Sequence, residues 1–76
     1  MKELVEMLAK NLVDQPDLVD VREVEGTSTL TYEIVVAEDD VGKVIGKQGR
    51  IINAIRTIVK AAATKNGKKV YVEVIS

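Results

Sequence analysis

The 76-residue sequence predicts an α+β domain in which three helices cover one face of a three-stranded mixed sheet. Two segments repeat apolar residues at the spacing of one helix face, and three segments alternate apolar and polar residues as strands do. A short segment before a glycine-rich turn supplies the third helix. Because no internal repeat, linker or low-complexity stretch interrupts this pattern, we expect a single domain over residues 1–76.

The first helix is predicted over residues 2–13. Its apolar face consists of Leu4, Val5, Leu8, Ala9 and Leu12. The following "DQPD" ends the pattern, because Pro16 lacks the amide hydrogen that a helix needs and favours extended backbone at Gln15.

Two strands, residues 18–25 and 29–37, are predicted to form a β-hairpin. The tripeptide "GTS" between them is a short turn that contains glycine. Alternation in the second strand places four apolar residues on one face: Leu30, Tyr32, Ile34 and Val36. The two strands are therefore expected to pair antiparallel.

The second half of the chain predicts three elements: a short helix over 40–45, a long helix over about 50–64 and a strand over 68–75. The carboxylate of Asp39 or Asp40 can cap the short helix. Gly67 can end the long helix in the left-handed conformation. Since a helical crossover precedes the last strand, we expect this strand to lie beside the middle strand and parallel to it.

The chain has neither cysteine nor histidine. Disulfides and thiolate zinc sites are therefore excluded, and the usual general base near neutral pH is absent. The acidic residues follow no metal-ligand spacing, so we expect no enzyme, no catalytic residue, no metal and no cofactor. Apolar runs are too short for a membrane span and the N-terminus is too acidic for a signal peptide, which favours a cytoplasmic protein.

The net charge of −1 hides a strong asymmetry between the two halves of the chain. Residues 1–40 contain three basic and eleven acidic side chains, whereas residues 41–76 contain eight basic side chains and one acidic side chain. The basic half therefore suits an anionic partner. The alternative is that each half is only a solvated surface.

The stretch "VGKVIGKQGRII", residues 41–52, concentrates glycines and cations directly before the long helix. Gly46 and Gly49 bracket Lys47 and Gln48 in a tight connection, and they remove side chains that would keep a phosphate at a distance. The helix N-terminus and the basic side chains Lys43, Lys47 and Arg50 favour negative charge there. A P-loop is excluded by the spacing of the glycines and by Gln48 after the lysine. The loop is suited to close approach by a polyanion.

The same stretch resembles the signature of the KH domain. The pattern Ile-Gly-x-x-Gly-x-x-Ile-x-x-Ile is filled here by Ile45, Gly46, Gly49, Ile52 and Ile55. The helix-first order of elements is similar to the type II version of that fold. Over the second half, "DVGKVIGKQGR" and "AIRTIVKAAA" resemble the small, stand-alone bacterial KH proteins of the KhpA type, whereas the first half matches only in layout.

This resemblance implies a bacterial RNA chaperone or regulator that binds single-stranded RNA, with a GXXG loop that clamps about four backbone nucleotides. The implied RNA-binding residues are Lys43, Gly46, Lys47, Gln48, Gly49 and Arg50. An apolar groove for the bases would be lined by Val41, Val44, Ile45 and Val72. The resemblance also implies a homodimer, or a complex with a larger KH protein of the KhpB type. Because the chain has no Phe or Trp, base stacking is not expected to be the main source of affinity.

Other interpretations remain open from the sequence. An adapter or dimerisation module without RNA binding would have the same fold. A helix-hairpin-helix DNA-binding module is a weaker alternative, since the flanking strands fit it poorly. The remaining lysines of the second half are expected to be solvated: Lys60, Lys65, Lys68 and Lys69.

The long helix carries more apolar surface than one sheet needs. A first stripe consists of Ile52, Ile55, Val59 and Ala62, and a second one beside it of Ile51, Ala54, Ile58 and Ala61. Together they span about 200° of the helix, twice the width of an ordinary core-facing stripe. We therefore hypothesise that the second stripe forms a homodimer interface. The alternative is that the first helix covers it.

Overall fold

The computed structural model of the chain describes residues 1–63 and 67–76 and has the predicted α+β architecture. Its elements are α1 Lys2–Leu12, β1 Asp20–Glu25, β2 Thr29–Val35, α2 Val41–Ile45, α3 Arg50–Ala63 and β3 Lys69–Ile75. Short 3-10 turns at Pro16–Leu18, Glu38–Asp40 and Lys47–Gly49 connect some of them. The element order and types agree with those predicted.

The sheet has the order β1-β2-β3, with β1 antiparallel to β2 and β3 parallel to β2. Tyr32 in the middle strand lies opposite Glu23 of β1 and Val72 of β3. The predicted hairpin and the predicted parallel return of the last strand are both confirmed. This order leaves β1 and β3 as the two edges of the sheet.

The hydrophobic core lies between the helices and one face of the sheet. Alternate residues of β2 are buried, because their side chains point toward the helices: Leu30, Tyr32 and Ile34. α1 packs against this layer through its buried residues Val5 and Ala9. α3 packs against it through buried residues at helical spacing: Ile52, Ile55, Val59 and Ala63. The opposite face of the sheet is open, with Val24 and Tyr71 about half exposed.

Several bounds differ from the prediction by one or two residues, and so does one core position of α3. β1 begins at Asp20, because the N–H groups of Leu18 and Val19 bond back to the carbonyls of Gln15 and Pro16 and are unavailable to the sheet. β2 ends at Val35. On α3, Ala63 takes the core position expected of Ala62, whose side chain is exposed.

The predicted end of the long helix at Thr64 lies outside the described residues, as does Lys65. Gly67 has a φ of 67°, which is the left-handed conformation predicted for it. Among the helices of the described residues, none combines the length and the apolar character that crossing a bilayer requires.

Candidate nucleic-acid interface

The connection between α2 and α3 is a tight turn made of left-handed residues. Gly46, Gln48 and Gly49 have φ angles of 77°, 57° and 73°. The N–H of Gly46 donates to the carbonyl of Gly42 over 2.8 Å, and the N–H of Gly49 donates to the carbonyl of Gly46 over 3.2 Å. Because the turn closes on itself through its backbone, the side chains of Lys47 and Gln48 project from its tip and are exposed.

Glycine is required at position 46 for space as well as for conformation. A Cβ atom built there would lie 2.6 Å from Cγ1 of Ile51 and 2.9 Å from its Cβ, which is closer than real atoms approach. At Gly49 the nearest such atoms are 3.8 Å away, so there only the positive φ disfavours other residues. The backbone of the turn therefore packs directly on the first residues of α3.

The cations of the site fall into two groups. In the part of the chain that the structure describes, Lys47 and Arg50 form no ion pair and no side-chain hydrogen bond, and both are exposed. Lys43 is instead paired with Asp14, and its Nζ lies 3.8 Å from Oδ1 of Asp40. Hydrogen bonding to Asp14 raises the pKa of Lys43 above its usual value. Lys47 and Arg50 are therefore available to an anion, whereas Lys43 must first leave Asp14.

Asp40 does not cap α2 with its side chain as predicted. It occupies the N-cap position, but its carboxylate accepts hydrogen bonds from the N–H groups of Asp14 over 3.2 Å and Gln15 over 3.1 Å. Only 1% of Asp40 is exposed, and it is the one buried charged residue among those described. The polypeptide after α1, rather than the first turn of α2, supplies the amides because it passes directly over this carboxylate.

Of the four side chains expected in an apolar groove, two are partly exposed and two are buried. Val41 and Ile45 are partly exposed at the surface of α2. Val44 and Val72 are 0% and 2% exposed and face the core, so they support the surface residues from below. Of the four side chains, only those of Val41 and Ile45 are therefore accessible from the surface.

Arg56 connects α3 to the free edge of the sheet. Its guanidinium donates to Oδ1 of Asn53 over 2.9 Å and to the backbone carbonyl of Val72 over 3.2 Å. The side of α3 that carries Asn53 and Arg56 therefore faces the outer edge of β3. Nothing in the local sequence around Arg56 indicates this contact with a residue sixteen positions away.

The sequence that forms this site matches a known protein family. The family model described as KhpA/KhpB, KH domain, matches residues 2–74. The chain belongs to the KhpA/KhpB family of KH domains. The order of elements in the structure is that of the type II KH fold. The tight turn between α2 and α3 has the sequence Gly-x-x-Gly at residues 46–49, and we refer to it as the GXXG loop.

Relatives in this KH family match over nearly the whole chain. A protein of Clostridium perfringens named RNA-binding protein KhpA is 61% identical over 75 residues, which are 99% of this chain and all of the relative. A protein of the same name from Caldanaerobacter subterraneus is 59% identical over the same proportions. One from Listeria monocytogenes is 48% identical over 99% of both chains.

Two features of the site were absent from the sequence-based prediction. One is a set of contacts across 25 to 29 positions of the chain, in which the N–H groups of Asp14 and Gln15 donate to Asp40 and the side chain of Lys43 pairs with Asp14. The other is the placement of Arg56 at the edge of β3. In the described part of the chain, no three acidic side chains are placed to hold a metal ion together.

Proposed function

We propose that the protein binds single-stranded RNA, with the GXXG loop in contact with the phosphate backbone. The observation that carries this proposal is the group of side chains at the loop and the start of α3, where those of Lys47, Gln48 and Arg50 are exposed and have no partner among the described residues. The glycines that bracket the tip leave its backbone amides open to a phosphate. Relatives named as RNA-binding proteins over the whole chain length support the same function.

The proposed RNA-binding residues include those named from the sequence: Lys43, Gly46, Lys47, Gln48, Gly49 and Arg50. Val41 and Ile45 would contact the bases, with Val44 and Val72 behind them. Within a bacterial cytoplasm, such a domain would act as a general RNA chaperone or regulator by binding, without catalysis. Residues 1–76 would form the single domain that does so.

Self-association is the second part of the proposal. Ile58 is 44% exposed and Ala54 is exposed beside it, so α1 does not cover the second apolar stripe of α3. Ala61 extends the stripe, while Ile51 is half-buried and packs against the core. We propose that these four residues form a homodimer interface. The same surface would suit a larger KH protein of the KhpB type, because that partner would present a related domain.

A double substitution tests the RNA-binding proposal. Lys47→Asp combined with Gln48→Asp places two negative charges at the tip of an exposed turn, where a phosphate would lie. We expect affinity for single-stranded RNA to fall at least about tenfold, or about 1.4 kcal/mol, while the protein stays folded. Fluorescence anisotropy with a labelled RNA measures the affinity, and circular dichroism verifies the fold.

The matched control is Lys10→Asp combined with Asn11→Asp. These two exposed neighbours at the end of α1 undergo the same change in charge, far along the sequence from the loop. The control should retain most of the affinity. If the loop variant binds RNA as tightly as the unmutated protein, the adapter module without RNA binding becomes the better description.

A further inference from the structure

A second basic surface lies at the start of β3, outside the residues assigned to the GXXG loop. It is a pocket of about 370 Å³. Its lining residues are Lys60, Lys68, Lys69, Val70 and Tyr71. The volume falls within the range of about 300–1,000 Å³ that is typical of small-molecule sites. Three of five lining side chains are cationic, so the pocket suits an anionic ligand with an apolar part.

Tyr71 supplies the apolar part. The chain has two aromatic residues in all, and Tyr32 is buried in the core with 1% exposed. Tyr71 is 49% exposed and borders the pocket, which makes it the aromatic ring that a ligand can reach. A ring beside cations is the combination by which proteins bind single-stranded nucleic acid, because bases stack on the ring and phosphates contact the cations.

One side of α3 carries polar and basic side chains between the GXXG loop and the pocket. Asn53, Arg56 and Lys60 follow each other at helical spacing from the loop, so their side chains lie in one row. The contact of Arg56 with the carbonyl of Val72 shows that this row faces the free edge of β3. Lys60 lies ten residues beyond Arg50, or about 15 Å along the helix axis. A single strand held at the loop can therefore follow this row to the pocket.

The charges around this pocket favour an anion, whereas those around the adjacent pocket do not. Lys68 is paired with Glu25 of β1, so its charge is largely compensated, and hydrogen bonding to Lys68 lowers the pKa of Glu25. On the other side of this ion pair, a second pocket is lined by Glu23, Glu25, Leu30 and Lys68 and is acidic. Lys60 and Lys69 form no ion pair among the described residues. An anion would thus enter on the side of Tyr71.

We infer that this pocket is a second nucleotide-binding site, in which a base of single-stranded RNA stacks on Tyr71 and the adjoining phosphate lies between Lys60 and Lys69. The inference rests on the proposed function, because the RNA that reaches the pocket is held first at the GXXG loop. It predicts that the protein contacts more nucleotides than the loop alone can hold. A short RNA should not reach Tyr71, whereas a longer one should.

The experiment compares two mixed-sequence single-stranded RNAs. One has about four nucleotides, which is the length that a GXXG loop clamps, and the other has about twelve. Nuclear magnetic resonance of the unmutated protein follows the ring protons of both tyrosines. Stacking should shift the Tyr71 resonances upfield with the longer RNA only, and the buried Tyr32 serves as the internal reference.

Substitutions then test the energetic role of the pocket. Tyr71→Ala should weaken binding of the longer RNA about five- to a hundredfold and leave the shorter one unchanged, while Tyr71→Phe should retain both affinities. The control Leu18→Ala removes an equally exposed apolar side chain near the start of the sheet and should change neither. With Lys60→Gln and Lys69→Gln combined, the affinity for the longer RNA should depend less steeply on salt. The slope of log affinity against log salt concentration should fall by about 0.7 for each phosphate that these lysines no longer neutralise.

The outcomes separate this inference from the proposed function. If the loop variant loses both RNAs but Tyr71→Ala loses neither and the Tyr71 resonances do not move, the second site is wrong and the loop assignment stands. If the loop variant binds both RNAs normally, the proposed function is wrong. The resonances of the unmutated protein and the exposed lysine variants decide the matter even if Tyr71→Ala does not fold.

Discussion

The carboxylate of Asp40 accepts a hydrogen bond from the backbone N–H of Gln15 over 3.1 Å, which fastens the start of α2 to the segment after α1. Its other oxygen accepts the N–H of Asp14 over 3.2 Å. A buried carboxylate is stable only when such donors surround it. Since the GXXG loop follows α2 directly, this contact also helps to hold the loop in place relative to the segment after α1.

Replacing Asp40 with Asn should destabilise the protein. The amide offers one oxygen where the carboxylate offers two, and its NH₂ group would face a backbone N–H. We expect the free energy of unfolding to fall by about 2 kcal/mol, as for the loss of a hydrogen bond to a buried charged group. Urea denaturation measures the change. Asp39→Asn is the control, since this neighbouring carboxylate is exposed and should alter stability by less than about 0.5 kcal/mol.

Asp14→Asn should strengthen RNA binding. The substitution removes the carboxylate that is paired most closely with Lys43 and leaves only Asp40, 3.8 Å away, so Lys43 becomes more available to a phosphate. For an RNA of about four nucleotides, we expect a severalfold gain in affinity. The slope of log affinity against log salt concentration should become steeper by about 0.7. Titrations at several salt concentrations measure both quantities.

A matched variant separates the release of Lys43 from a general change in charge. Asp17→Asn removes the same charge from an exposed position three residues away that has no ion pair among the described residues. For Asp17→Asn, the slope of log affinity against log salt concentration should equal that of the unmutated protein. Equal behaviour of the two variants would mean that Lys43 does not contact RNA.

Replacing Gly46 with alanine should destabilise the protein more than replacing Gly49 with alanine. At Gly49 it meets only the cost of a positive φ, which is about 1–2 kcal/mol. At Gly46 the φ of 77° is combined with a ψ of 172°, a backbone conformation that is essentially restricted to glycine, and alanine would also collide with Ile51, so the loss of stability should be clearly larger. Chemical denaturation of both variants gives the comparison. Equal losses would show that Ile51 moves aside freely and does not hold the loop.

Ile58→Lys should produce a monomer. A charge in the centre of the exposed stripe opposes burial against a second copy, but at a position 44% open to solvent it should leave the fold intact. Light scattering at high micromolar concentration measures the molar mass. Val24→Lys makes the same change on the open face of the sheet, where 51% of the residue is exposed, and should not alter the mass. An unmutated protein that is already monomeric would refute the homodimer.

Much of the fold could be predicted because its information is local. The alternation in residues 29–35 defines the buried face of β2, and the spacing of Ile52, Ile55 and Val59 defines the buried face of α3. The tight turn between α2 and α3 was equally predictable, since Gly46 and Gly49 permit the positive φ angles that such a connection needs. The crossover then restricts β3 to a parallel strand beside β2.

The contacts of the charged residues were not predictable in this way. Asp40 has the residue type and position of a helix cap, yet it binds amides 25 residues earlier in the chain. Lys43 was predicted to contact a phosphate, and its side chain pairs with Asp14. A long polar side chain reaches several neighbours, and which neighbour is present depends on where distant segments meet.

The sequence by itself thus determined the elements, most of their buried faces and the tight turn, because each follows from periodicity or from backbone preference within a few residues. It also determined the sheet order, through the general rule that a helical crossover returns the chain beside the preceding strand and parallel to it. Only the tertiary structure decided that Tyr71 and Lys60 border one pocket, that Arg56 reaches the carbonyl of Val72 and that Ile58 stays exposed. These properties depend on the packing of α3 against β3, which brings together residues that no local pattern relates. The physical reason is that periodicity specifies which way a side chain points, whereas its partner is set by the element that packs opposite.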